Sequence, residues 1–172
     1  RFDEEEIKRI EKAGAEREVA VLSTGDPMVS GLGTLVKGKV EPGISSVQLA
    51  LARLRIDLCE VIIVDAHARD GYQEILRASR FRNKILILTD RKFNLNKLVD
   101  LGRSEGIGIA KLAVLTNLGM EDEEVLEVSL TGNDMPEQID FTLKSDLAIV
   151  YIECKDLTGS ESDSLTYSEV KL

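Results

Sequence analysis

Val19-Ala20-Val21-Leu22-Ser23-Thr24-Gly25-Asp26-Pro27 is the stretch from which the chain is read. Four consecutive apolar residues bounded by turn formers read as a strand covered on both faces, the usual condition of a parallel sheet. Gly25 and Pro27 force a loop at its carboxyl end. Upstream, Asp3 stands before Glu4, Glu5 and Glu6, a cap followed by acids at the positive end of a helix dipole. Ile7, Ile10 and Ala13 then recur at helical spacing and predict a packed amphipathic helix. Downstream, Leu32, Leu35 and Val36 predict a short helix. Pro42-Gly43-Ile44-Ser45-Ser46 is a second tight turn, and either serine can cap the helix built by Val47, Leu49, Ala50, Leu51 and Leu54.

The alternation continues outward. Residues 61–64 read as a strand, Tyr72, Ile75 and Leu76 mark a helix, and residues 85–88 form a strand ending at Thr89-Asp90. Leu95, Leu98, Val99 and Leu101 mark another helix before the strand at 113–115, which ends at Thr116-Asn117. The rhythm then changes. Residues 125–130 and 147–152 read as strands with no long helix between them, which predicts antiparallel additions to a mixed sheet. The expected fold is α/β with two lobes. An N-terminal lobe over residues 1–58 carries a mostly parallel first sheet, a C-terminal lobe over 59–154 carries a mixed second sheet, and residues 155–172 form a polar, Ser-rich tail.

The totals narrow the function. A chain of 172 residues buries a real core, and its apolar share of 43% is ordinary for a globular protein. The net charge of -9 argues against a diffuse nucleic-acid binder, which needs a basic face to displace counterions. No apolar run approaches the roughly 20 residues that cross a bilayer, so no membrane partner is expected. Cys59 and Cys154 lack metal-ligand spacing and read as two reduced, buried thiols of a cytoplasmic protein. The expected metal set is empty.

In open α/β sheets, ligands bind beyond the carboxyl ends of strands. Three turns fall there: Gly25-Asp26-Pro27, Thr89-Asp90 and Thr116-Asn117. The Pro42 turn opens a helix instead, and its first amides suit an anionic group.

Each turn alone is common; their combination is specific. Residues Leu22-Ser23-Thr24-Gly25-Asp26-Pro27-Met28-Val29-Ser30-Gly31-Leu32-Gly33, followed by Pro42-Gly43-Ile44-Ser45-Ser46-Val47-Gln48-Leu49-Ala50, resemble the tetrapyrrole methylases. The run from Ser45 to Ala50 is similar in particular to the branch that methylates C5 of precorrin-7 or its cobalt form. Asp65-Ala66-His67-Ala68-Arg69, Ile87-Leu88-Thr89-Asp90 and Asn117-Leu118-Gly119 extend the likeness, which covers roughly residues 19–153. The resemblance implies a homodimeric, S-adenosylmethionine-dependent C-methyltransferase of cobalamin biosynthesis acting on a polycarboxylate corrinoid. It implies a cofactor folded between the lobes, with Thr24, Gly25, Asp26, Val29, Ser45, Ser46, Thr89 and Asn117 around it. His67 and Arg69 face the substrate on this reading, with Arg80, Arg82 and Arg91 as further candidates for a basic rim. His67 either orients the substrate or shuttles a proton. No catalytic side chain is required, because a sulfonium methyl and an electron-rich ring carbon react once aligned.

The sequence also departs from the family. The opening strand and Gly-x-Gly-Pro-Gly loop are absent, Thr116 stands where a Glu is usual, Ala68 stands where a Gly is usual, and the stretch from Leu35 to Pro42 is short. The expectation is that residues are missing at the start and in that stretch. Two other readings stay open: a diphthine synthase-like methyltransferase, and a non-catalytic scaffold of the same fold.

Overall fold

A computed structural model describes residues 3–67, 69–130, 143 and 145–155. Helix α1 (Glu4–Glu16) opens on Asp3, whose side chain accepts from the Glu6 amide while the Glu6 carboxylate accepts from the Asp3 amide. This reciprocal pair satisfies two of the amides a helix start leaves unpaired. The packing expected of this helix is shallow: Ile7, Ile10 and Ala13 are half-buried and no residue of α1 is fully buried.

The chain then runs without regular structure, apart from a single 3-10 turn at Leu32–Thr34, to helix α2 (Ser46–Leu54). The predicted strand at residues 19–22 does not form, and Leu22 is 87% exposed. The reason is pairing. A strand is stable only when its amides and carbonyls meet a neighbour, and the first strand among the described residues begins at Ile62. The expected parallel first sheet is therefore not found in residues 3–61.

Every later strand predicted from the sequence forms. They are β1 (Ile62–Asp65), β2 (Lys84–Thr89), β3 (Ile109–Thr116), β4 (Glu124–Ser129) and β5 (Ala148–Cys154), with α3 (Tyr72–Ser79) and α4 (Leu95–Ser104) between. They make one mixed sheet in the order β1-β2-β5-β3-β4. β1 and β2 are parallel, while β5 runs antiparallel to both β2 and β3, and β4 closes the edge antiparallel to β3. The antiparallel additions expected after residue 125 are thus present, but β5 inserts into the middle of the sheet instead of extending it.

Alternation along the strands sends side chains to two cores. Ile85, Ile87, Leu112, Val114, Val150 and Ile152 pack with α3 and α4 on one face. Leu86, Leu88, Ala113, Leu115, Ile149 and Tyr151 pack with Val47, Ala50 and Leu51 of α2 on the other. Both faces are covered, which is why these strands read as continuous apolar runs. Helix α2 precedes the expected lobe boundary at residue 58 in sequence, yet it covers the sheet that follows. Cys154 is buried as expected; Cys59 is exposed, since it lies in the polar turn Leu58–Glu60 before β1.

Candidate functional site

The carboxyl ends of β1 and β2, the turn after β3 and the start of β5 meet the N-terminal segment in one cleft of about 750 Å³. Two sequence turns contribute to its lining, the first through Gly25 and Asp26 and the second through Ile44, Ser45 and Ser46. Gly25 takes φ +67°, and Asp26 Oδ1 accepts from the Met28 amide at 2.7 Å. Gly43 lies against Gly25: a Cβ on Gly43 would stand 2.6 Å from the Gly25 carbonyl oxygen. The turns that looked independent in sequence are thus one backbone contact in space.

Ser45 and Ser46 separate in role. Ser45 is buried, and its hydroxyl accepts from the Gln48 amide at 3.1 Å while Gln48 Oε1 accepts from the Ser45 amide at 2.9 Å. It caps α2. Ser46 is exposed and lines the cleft. Thr89, at the end of β2, is buried; its hydroxyl donates to the Ala148 carbonyl at 3.1 Å and its own carbonyl lies 3.3 Å from His67 Nδ1. A carbonyl only accepts, so that contact places the proton on Nδ1 of the imidazole.

Thr24, Gly25, Asp26, Val29, Ser45, Ser46, Thr89 and His67 all border the cleft. Asn117 and Arg69 are not among its lining residues. Asn117, at φ +51°, closes the turn after β3: its Nδ2 donates to Asp122 Oδ2 at 2.7 Å and its Oδ1 accepts from the Ser145 hydroxyl at 2.6 Å. The residues that reach the cleft from this turn are Leu118 and Met120. Arg69 turns back on its own segment, donating from Nε to the Asp65 carbonyl and pairing with Glu74 Oε2 at 3.3 Å. The other arginines expected to form a basic rim are partly committed, with Arg80 on Glu105 at 2.7 Å and Arg91 on Asp146 at 2.9 Å.

Sequence reasoning missed much of the apolar wall: Leu22, Leu35, Ile44, Leu49, Leu118 and Met120. Leu22, Ile44, Leu49 and Leu118 lie inside the quoted motifs, so their adjacency to polar turn residues was the available signal. Met120 carried none. One part of this wall is braced by Arg53 of α2, whose Nη2 donates to Glu123 Oε2 at 3.1 Å, while the Gly119 amide donates to the same oxygen at 2.8 Å. These bonds, that of Arg53 first, hold the Glu123 carboxyl below its usual range. They fasten the turn bearing Leu118 and Met120 to the helix whose start bears Ser46.

The Tetrapyrrole (Corrin/Porphyrin) Methylases match residues 1–132 of this chain. The chain belongs to that family. Within the family it is 33% identical over 128 residues to the probable cobalt-precorrin-7 C(5)-methyltransferase of Methanocaldococcus jannaschii, a match covering 66% of this chain. It spans 57% of that relative's length. Its fold matches the crystal structure of a cobalamin biosynthesis precorrin-6Y methylase from Archaeoglobus fulgidus with a TM-score of 0.65 and 41% identity, over 91% of this chain and 73% of that one. The fold is also that of the uroporphyrin-III C-methyl transferase from Thermus thermophilus complexed with S-adenyl homocysteine, with a TM-score of 0.58, 18% identity and coverage of 87% and 72%.

Proposed function

We propose that the protein uses S-adenosylmethionine to methylate C5 of precorrin-7, or of its cobalt form, in cobalamin biosynthesis. The observation that carries this reading is that the Gly25-Asp26 turn, Ser46 at the head of α2 and the His67 segment after β1 line one cleft. Gly25, at φ +67° and without a side chain, brings bare backbone to that cleft. Relatives named for corrin methylation support the choice of substrate.

The cleft fits the cofactor on this chain's own chemistry. Its volume falls within the roughly 300–1,000 Å³ of small-molecule sites. Leu49, Leu118 and Met120 offer an apolar wall for an adenine, and Ser46 and the amides around Gly25 and Asp26 offer polar partners for ribose and amino-acid groups. Asn117 shapes the turn that presents Leu118. S-adenosylmethionine, held by Ser46 and the amides around Gly25 and Asp26, would supply an electrophilic methyl on its sulfonium. The protein's part is alignment, with reacting atoms held about 3–3.5 Å apart. His67 orients the substrate at the cleft edge or takes up a proton there through Nε2, since Nδ1–H is turned to Thr89. Arg69 meets a substrate carboxylate by exchanging its Glu74 partner.

The same proposal includes the division into lobes at residue 58, a cytoplasmic setting and a homodimer. β4 is an edge strand of the sheet, and its exposed Val125 and Leu126 support association along that edge. No helix among the described residues is long and apolar enough to cross a membrane.

Calorimetry of the full-length protein with S-adenosylhomocysteine, followed by methylation of cobalt-precorrin-7, tests the reading. Saturable binding with turnover is the expected result. Binding without turnover on the corrin would redirect the substrate assignment, and absence of binding would sink the methyltransferase reading.

A further inference from the structure

The carboxylate of Asp65, the last residue of β1, reaches in two directions. Its Oδ2 accepts from the Ser30 hydroxyl at 2.8 Å, across 35 residues of sequence, and its Oδ1 accepts from the His67 amide at 3.0 Å. Its backbone carbonyl accepts from Arg69 Nε. Ser30 and His67 both line the cleft, and Asp65 does not. Ser30 belongs to the loop that follows Gly25-Asp26-Pro27 and holds φ +49°. A non-glycine residue keeps that conformation only when its surroundings determine it. An ionised carboxylate has two acceptor oxygens and no donor, so it suits a position between two donors.

We propose that Asp65 is a positioning residue: it ties the Ser30 loop, on the cofactor side of the cleft, to the His67 segment, on the substrate side, and so sets the line along which methyl donor and acceptor meet. This rests on the functional reading above. Asp65 touches neither ligand on this account. It acts through Ser30 and His67, and its geometry matters more than its charge. Asparagine can reproduce both contacts, because its Oδ1 accepts from the His67 amide and its Nδ2 donates to the Ser30 hydroxyl oxygen. Alanine reproduces neither.

The test compares Asp65→Ala, Asp65→Asn and Ser30→Ala in the full chain, by amide hydrogen exchange over residues 26–33 without ligand and by steady-state methyl transfer. In Asp65→Ala, exchange in that loop is expected to rise about tenfold as local opening becomes easier. Turnover is expected to fall by about ten- to a hundredfold, with each KM changing much less, as for misalignment of bound reactants. Ser30→Ala, at an exposed position that leaves folding intact, is expected to give the same signature, and the two changes together are expected to add little. Asp65→Asn is expected to recover exchange and turnover to near wild type. Unchanged loop exchange in both alanine variants overturns the tie, whatever the kinetics. A fall in folded fraction with normal turnover per folded molecule overturns the positioning role. If loop exchange rises but the wild type neither binds S-adenosylhomocysteine nor methylates a corrin, the functional reading falls and the positioning role with it.

Discussion

Gly43 presses its backbone against the carbonyl of Gly25, so closely that a Cβ at 43 would lie 2.6 Å from that oxygen and 3.0 Å from its carbon. Atoms of that kind cannot approach so near, and both belong to backbone that has little room to shift. The pairing explains why the two turns carry information together: each sets the space the other leaves.

Gly43→Ala is therefore expected to force the turns apart, at a cost of about 1–3 kcal/mol for overpacking. Affinity for S-adenosylhomocysteine should fall at least about tenfold, the equivalent of roughly 1.4 kcal/mol. Gly14→Ala is the control. A Cβ there meets nothing within 4 Å, and replacing this glycine in the last turn of α1 should stabilise the helix by up to about 1 kcal/mol. Denaturant melts and calorimetry of both variants check the pair. Equal cofactor affinity in the two would separate the glycine contact from the ligand.

The two serines at the head of α2 should respond differently. Ser45→Ala removes a buried cap and should cost about 1 kcal/mol of stability. Ser46→Ala changes an exposed residue and should move stability by less than about 0.5 kcal/mol. Loss of a cofactor hydrogen bond should instead appear as weaker binding of about 0.5–1.5 kcal/mol. Thermal melts and titrations with S-adenosylhomocysteine distinguish them. A larger melting shift for Ser46→Ala than for Ser45→Ala would reverse the assignment.

The bond between Arg53 and Glu123 carries a pH signature. The Glu123 carboxyl is held below its ordinary value of 4.5, first by the hydrogen bond from Arg53 and then by that from the Gly119 amide. A depressed folded value means the contribution is complete above 4.5 and is lost as pH falls through the lowered value. The melting curve of Arg53→Ala should therefore lie below wild type at neutral pH and converge with it in acid. Parallel curves down to strongly acidic pH would show that the pair does not couple α2 to the turn.

The two thiols should separate by reactivity. Burial first, and the neighbouring Glu153 charge second, push Cys154 up to about 11, against a weaker opposing bond from Ser79. The thiolate is the reactive form, so iodoacetamide near neutral pH should label exposed Cys59 and spare Cys154 until the chain is unfolded. Mass spectrometry of native and denatured samples reads this directly. Because the folded value lies above the ordinary 9.0, the stability contributed by the neutral Cys154 thiol is complete below that pH and is lost as pH rises through about 11.

What the sequence determined by itself was local. The cap of α1 at Asp3, a serine cap of α2 at Ser45 or Ser46, the strands from residue 62 onward and the two glycine turns all follow from residues within a few positions of one another. Capping bonds, helical periodicity and turn conformations are short-range interactions, and they survive unchanged into the folded chain. The tertiary structure decided whatever needs a distant partner. Residues 19–22 have the composition of a buried strand, yet no described strand pairs with them, and apolar character alone cannot supply hydrogen bonds. β5 enters between β2 and β3 because both faces and both edges of that gap suit it, which no window of sequence displays. Arg69 turns to Asp65 and Glu74, and Ser30 meets the Asp65 carboxylate. Side-chain direction at a loop is set by the charges and donors that folding brings near, and these come from 35 residues away in the case of Ser30.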